Sequence, residues 1–233
     1  VKRALLEAAV AAQREQRPVV LVRALDGARQ FIVTAQGMSG DVDDLDPMLR
    51  DIARAALDVD GGRVAEVAGK RYFIQTLAAS PRIVIVGGVH IAQALIPMAQ
   101  RVGYQIHLVD PRSAFANTER FPEVDIDNRW PDEALEALAL DRRTAVVTLS
   151  HDPKIDEPAL RAALASDAFY IGALGSRDNH RKRLERLAAH GFDAKQLERI
   201  HGPIGLPLGG RSPAEIAVST LAQIIQQRHA TFG

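Results

Sequence analysis

The chain contains no cysteine. That excludes disulfides, zinc–thiolate sites and any persulfide or acyl-thiol chemistry carried by its own side chains. An excess of one charge sign is missing too: 29 Lys and Arg face 29 Asp and Glu, a formal net of zero. Non-specific nucleic-acid binding needs a basic footprint, so no nucleic-acid partner is expected. No apolar run approaches the roughly 18 residues of a membrane span. The opening VKRALLEAAVAAQREQRP has a charged beginning but no long apolar segment and no cleavage site, and reads as an amphipathic helix rather than a signal peptide. Internal repeats and low-complexity segments are absent. Together these absences point to a cytoplasmic protein.

What is present is ordinary globular material: 233 residues, 47% hydrophobic and 25% charged, enough for one large or two small domains. Residues 1–78 read as a small mixed unit. A helix over about Lys2–Gln16 leads to the strands PVVLVRAL and RQFIVTA, joined at Asp26-Gly27 as a hairpin. A polar loop, QGMSGDVDDLDP, precedes a helix over about Pro47–Leu57. Two more strand-like runs, RVAEVA and RYFIQTL, flank a turn at Ala68-Gly69-Lys70.

Around AASP (78–81) the pattern changes. RIVIVGG, YQIHLVD, TAVVTLSHD and AFYIGAL read as strands, separated by helical runs. The expected helices are VHIAQALIPMAQRVG, EALEALALD, about Glu157–Ala165, Arg177–Ala189 and Pro213–Arg228. Such alternation predicts parallel βαβ units. The last helix opens with Ser212, Pro213 and Glu215, the form of a capping box with proline at the first position.

RIVIVGGVHIAQAL resembles the first turn of a Rossmann fold, where a strand runs into glycines and a helix N-terminus faces a phosphate. An acidic residue expected about 20 residues on is met by Asp110. The fingerprint is imperfect: counted from Gly87, its second glycine falls on Val89 and its third on Ala92. Valine there hinders close approach of a pyrophosphate, so a ligand-free glycine turn competes with dinucleotide binding. The predicted fold is therefore α/β: a small N-terminal α/β domain (1–78) followed by a Rossmann-like parallel-sheet domain (79–233).

Open α/β sheets bind ligands beyond the carboxyl ends of their strands. The candidates gather there: Gly87, Gly88 and His90 after the first strand, Asp110 after the second, His151 and Asp152 after the third. The fourth strand delivers Gly175, Ser176, Arg177 and His180, and the loop HGPIGLPLGG adds His201. His151-Asp152 is either an acid/base pair or a plain turn before Pro153. No second ligand cluster stands at helical spacing, so a metal site is not expected. Ser176 can simply cap its helix. An arginine in a first turn, however, is opposed by the helix dipole. A bound phosphate would reverse that penalty, using helix N–H groups, Ser176 and Arg177.

YIGALGSRDNHRKRLERL, HGPIGLPLGGRSPAEIAVSTLAQII, TLSHDPKIDEPAL and VIVGGVHIAQAL together resemble the XdhC/CoxI family, over about residues 80–229 and in the family's order. These are accessory factors of molybdenum hydroxylases such as xanthine dehydrogenase. The resemblance implies a chaperone rather than a turnover enzyme. Such a protein binds the molybdenum cofactor in its molybdopterin form, protects it while its terminal sulfur is installed, and passes it to the apo-enzyme. It also implies a homodimer, a Rossmann-like C-terminal domain, and an apo molybdenum hydroxylase and a cofactor sulfurase as partners. Ser176 and Arg177 would take the phosphate, with His151, His180 and His201 lining the pocket.

Two departures stand out. The family's first turn reads Gly-Ala-Gly-His, where this chain has Gly87-Gly88-Val89-His90. Its N-terminal domain often carries Gly-Gly-Cys, where this chain has Ser39-Gly40-Asp41, so no thiolate is available to hold molybdenum. The competing reading is an NAD(P)-dependent oxidoreductase, with Asp110 on the ribose and His90 or His151 as acid/base. A third is a nucleotide-binding sensor without chemistry.

Overall fold

The computed structural model describes residues 2–15, 17–77 and 79–232. The chain divides into two units, one running to Ala79 and joined by Phe232, the other spanning Ser80–Thr231. Ala78, the last residue of the expected first domain, lies outside the described residues.

In the first unit, helix α1 (Arg3–Arg14) buries Leu5, Ala9 and Ala12. That stripe recurs at helical spacing and packs on Val19 and Ile32. Gln16, its expected end, lies outside the described residues. Strands β1 (Val19–Ala24) and β2 (Gln30–Thr34) form the antiparallel hairpin, with Val22 opposite Phe31. The expected polar loop over 36–47 contains a strand, β3 (Gly37–Gly40), paired antiparallel to β2. Its residues are GMSG, so backbone pairing rather than an apolar pattern makes it a strand.

Helix α2 (Pro47–Ala55) starts with Asp46 accepting from the Met48 N–H at 2.8 Å. Strands β4 (Gly61–Val67) and β5 (Lys70–Leu77) complete an antiparallel sheet in the order β3-β2-β1-β5-β4. Phe31, Leu49 and Ile74 fill its core.

The second unit is built on β6 (Arg82–Val86), β7 (Gln105–Val109), β8 (Asp125–Asp127), β9 (Thr144–Thr148), β10 (Tyr170–Ala173) and β11 (Ile200–His201). All pair in parallel, in the order β11-β10-β9-β6-β7-β8. Counted within this unit the order is 3-2-1-4-5-6, the doubly wound arrangement. Its topological switch point lies between β6 and β9. Both strands are buried almost throughout and apolar at their centres, Ile83 to Val86 and Ala145 to Val147, because both faces are covered.

On one face Ile83 and Ile85 pack against Leu95 of α3 (His90–Arg101) and Leu221 and Ile224 of α8 (Pro213–Phe232). On the other, Val84 and Val86 meet α4 (Pro131–Ala137), α5 (Pro153–Leu164) and α6 (Arg177–Ala189) through Leu135, Leu160 and Leu187. Helix α7 (Ala194–Leu197) precedes β11.

Helix α5 begins at Pro153, four residues before the expected start. Asp152 caps it, accepting from the Lys154 N–H at 2.9 Å, and proline at the first position has no donor to waste. Helix α8 runs past Arg228 to Phe232. Its Ser212–Glu215 box forms: the Ser212 N–H donates to Glu215 at 3.0 Å and the Glu215 N–H to the Ser212 hydroxyl at 3.3 Å. Among the described residues no helix is long and apolar enough to cross a membrane.

Candidate functional site

At the switch point the glycine turn is packed by protein. Gly87 adopts a φ of +113°, where a side chain is strained, and a Cβ there would lie 2.8 Å from the Ser150 nitrogen. At Gly88 a Cβ would lie 2.5 Å from the Phe115 carbonyl oxygen. Arg120 donates to the carbonyls of both Gly88 and Phe115. Asp110 is fully buried and accepts from the Gly88 N–H at 2.9 Å. It accepts also from the Arg112 N–H, Nε and Nη2 at 3.0, 2.9 and 2.8 Å. Burial alone would raise its pKa, but the Arg112 guanidinium and the two backbone N–H groups outweigh it and hold the carboxyl below its usual value. Its lone pairs are therefore spent inside the fold. His90 opens α3 and is exposed.

The end of β9 builds a different place. His151 adopts a φ of +63°, uncommon for a residue with a side chain. The Ser150 hydroxyl donates to Oδ1 of Asp156 at 2.6 Å and accepts from the Asp152 N–H at 3.1 Å. Asp156, in the first turn of α5, is 2% exposed. Burial raises its pKa, against the Ser150 hydroxyl and the charge of Arg183. Arg183 of α6 is 6% exposed; its Nη2 donates to the Leu174 carbonyl at 2.7 Å, while Nη1 has no partner among the described residues. A cavity of about 250 Å³ lies here, lined by His151, Asp156, Leu174, Asn179, Lys182 and Arg183 among others.

The end of β10 builds a third. Ser176 caps α6, accepting from the Asn179 N–H at 3.2 Å. Arg177, the first residue of α6, is exposed and makes no hydrogen bond or ion pair among the described residues. It lines, with Leu174 and Gly175, a cavity of about 450 Å³ whose other wall is the 203–210 loop with Ile216 and Ser219 of α8. Gln223 anchors that loop, its Oε1 accepting from the Gly205 N–H at 2.9 Å and from the Tyr170 hydroxyl at 2.6 Å.

His201 stacks on Tyr170, with centroids 4.8 Å apart and planes 11° from parallel. His180 stands over Gly202, where a Cβ would come 2.1 Å from its Nδ1; that nitrogen is buried without a partner among the described residues. Burial lowers the pKa of both imidazoles, helped at His180 by Arg183.

The expected residues thus fall into separate groups. Gly175, Arg177 and the loop after His201 share one cavity, with His180 over Gly202. His151 belongs to the neighbouring cavity, which meets the first at Leu174. Gly87, Gly88 and Asp110 are tied to one another, and Asp152 is a cap. Asp156 and Arg183 were not expected. Their signal is a charged residue on an apolar helix face: Asp156 falls in line with Ala159, Leu160 and Ala163, and Arg183 with Leu187. Among the described residues no group of three or more His, Asp or Glu is placed to hold a metal ion.

A doubly wound parallel sheet with cavities beyond the ends of β9 and β10, and with its glycine turn packed by protein, defines a Rossmann-type domain. Residues 83–224 match the XdhC Rossmann domain, and the chain belongs to that family. It is 30% identical over 158 residues to a probable xanthine dehydrogenase subunit of Bacillus subtilis (strain 168), covering 67% of this chain and 46% of that protein. It is 32% identical over 149 residues to the molybdenum cofactor insertion chaperone PaoD of Escherichia coli (strain K12), covering 63% of this chain and 40% of PaoD. The chain thus spans less than half the length of these curated relatives. A crystal structure of a xanthine dehydrogenase from Bacillus halodurans superimposes with a TM-score of 0.74 over 98% of this chain and 65% of that one. At 21% identity that likeness is one of fold.

Proposed function

We propose that this chain is an accessory protein that carries the molybdenum cofactor as cargo. It holds the molybdopterin form, protects it, and delivers it without turnover to an apo molybdenum hydroxylase of the xanthine or aldehyde dehydrogenase type. In this reading a cofactor sulfurase is a further partner, and the working unit is a cytoplasmic homodimer. Family membership and the name of the Escherichia coli relative support the cargo.

The observation that carries the proposal is Arg177. Its guanidinium sits free at the N-terminus of a 13-residue helix, against the dipole, beside a cavity of about 450 Å³. A phosphate there would meet the guanidinium and the first-turn N–H groups together. His180 packs over Gly202, the residue before the 203–210 loop, and so braces the wall of that cavity rather than lining it. With no cysteine in the chain, affinity rests on phosphate and pterin rather than on a thiolate. Asp110 weakens the NAD(P) alternative, since the carboxylate that would read the ribose is buried and fully engaged.

The test is a paired titration of the purified protein with molybdenum cofactor and with NAD(H). Micromolar or tighter cofactor binding without an NAD(H) response is expected. Tight NAD(H) binding without affinity for the pterin overturns the proposal.

A further inference from the structure

The cavity between the start of α5 and the exposed side of α6 is separate from the one beside Arg177, and its chemistry is mostly that of hydrogen-bond donors. Arg183 brings to it a side chain that is only 6% exposed. Its Nη2 is used on the Leu174 carbonyl, and its Nη1 is buried with no acceptor among the described residues. A buried charged donor without an acceptor is costly, so the site asks for one. Lys182 lines the same space and is exposed, so it can turn toward a ligand. Arg186 also lines it but is held by Glu157 through an Nε–Oε1 bond of 2.5 Å.

We propose that this cavity is a second anion site, built to take a phosphate group on Arg183 Nη1 and Lys182. The cavity of about 250 Å³ has room for a phosphoryl group with ordered water. Two carboxylates oppose an anion: Glu157, which lines the cavity but is paired with Arg186, and Asp156. Its Oδ1 already accepts from the Ser150 hydroxyl and, at 3.3 Å, from the Ser150 N–H. Burial favours its neutral form, in which Oδ2 carries the proton and becomes a donor. Arg183 faces it, with the His151 side chain beside it, and Arg112 senses its charge from the β7 side. The site thus holds a phosphate best when Asp156 is neutral.

This inference does not rest on the cargo reading, and the experiment separates the two. Inorganic phosphate is titrated into the full chain carrying Arg177→Ala, which removes the guanidinium of the neighbouring cavity, at constant ionic strength in chloride. The readout is the amide shifts of Ser150, His151 and Asn179. One saturable event is expected. Adding Lys182→Ala, an exposed position that leaves the fold intact, weakens it about twofold to fivefold, the worth of an exposed ion pair. Adding Asp156→Asn, which keeps an acceptor for Ser150 and cannot ionise, tightens it by about tenfold or more in titrations at a pH where the native carboxyl has lost its proton. No saturable shift in these amides, or binding indifferent to both substitutions, overturns the proposal. So does a response to acetate with none to phosphate.

Discussion

Asp110 accepts the backbone N–H of Gly88 at 2.9 Å, tying the end of one central strand to the turn after its neighbour. In a dinucleotide-binding sheet an acidic residue at that place reads a ribose. Here the same carboxylate is a structural tie, completed by three bonds from Arg112. Asp110→Ala leaves a buried N–H without an acceptor, while Arg112, about one-third exposed, can rehydrate. The expected cost is about 1.5–3 kcal/mol of stability, measured by urea unfolding. Cofactor binding by the folded variant is expected to be unchanged. A selective loss of NAD affinity at full stability would contradict this account.

Arg177 makes the opposite prediction. Nothing within the described residues depends on its guanidinium, so Arg177→Ala is expected to leave the unfolding midpoint in place. The N-terminus of α6 even loses an unfavourable cation. Cofactor affinity is expected to fall by about 1.5–3 kcal/mol, the worth of a charged hydrogen bond. Arg177→Lys keeps the charge but not the fork, and should recover only part of it. Equal affinity for all three chains in calorimetry would remove the phosphate role.

The parallel sheet was legible because its central strands are long apolar runs between helices with clear periodicity. The elements that were not legible are those whose structure comes from pairing rather than pattern. β3 is GMSG on an edge, β8 is Asp-Ile-Asp, and β11 has two residues. The early start of α5 hides behind Pro153, which reads as the end of a strand although it occupies a first helical position that needs no donor. At the site, glycines and a first-turn arginine announce themselves by residue type. Asp156 and Arg183 do not: what marks them is burial, and burial depends on how α5 and α6 pack on β9 and β10. The tie between Asp110 and Gly88 is likewise a tertiary fact, invisible at 22 residues' separation.

His180 and His201 carry a pH dependence whose sign follows from burial. Both have folded pKa values below the ordinary 6.5 because desolvation disfavours the imidazolium. The stability they contribute is fully present above about 6.5 and is lost as pH falls through the folded values. Imidazole proton shifts are expected to titrate with midpoints below 6.5 for both. His201→Phe keeps a ring against Tyr170 and should flatten part of the acid limb of stability. A midpoint above 6.5 at either position would contradict the burial described here.

Asp156 runs the other way. Its folded pKa lies above the ordinary 3.8, chiefly because the carboxyl is buried. The folded state therefore holds its proton more tightly than the unfolded chain. The corresponding stability is fully present below about 3.8 and is lost as pH rises through the folded value. Asn at this position still offers Ser150 an acceptor and has no charge to desolvate. Urea unfolding of the chain and of Asp156→Asn, compared across pH 4 to 8, should show the difference moving in the variant's favour as pH rises. Were Asp156 instead held as an anion by Arg183, the difference would move toward the native chain, because removing the carboxylate would strand a buried guanidinium. The direction of that single trend decides whether the pair acts as an acid beside a free cation, ready for a phosphate, or as a closed salt bridge.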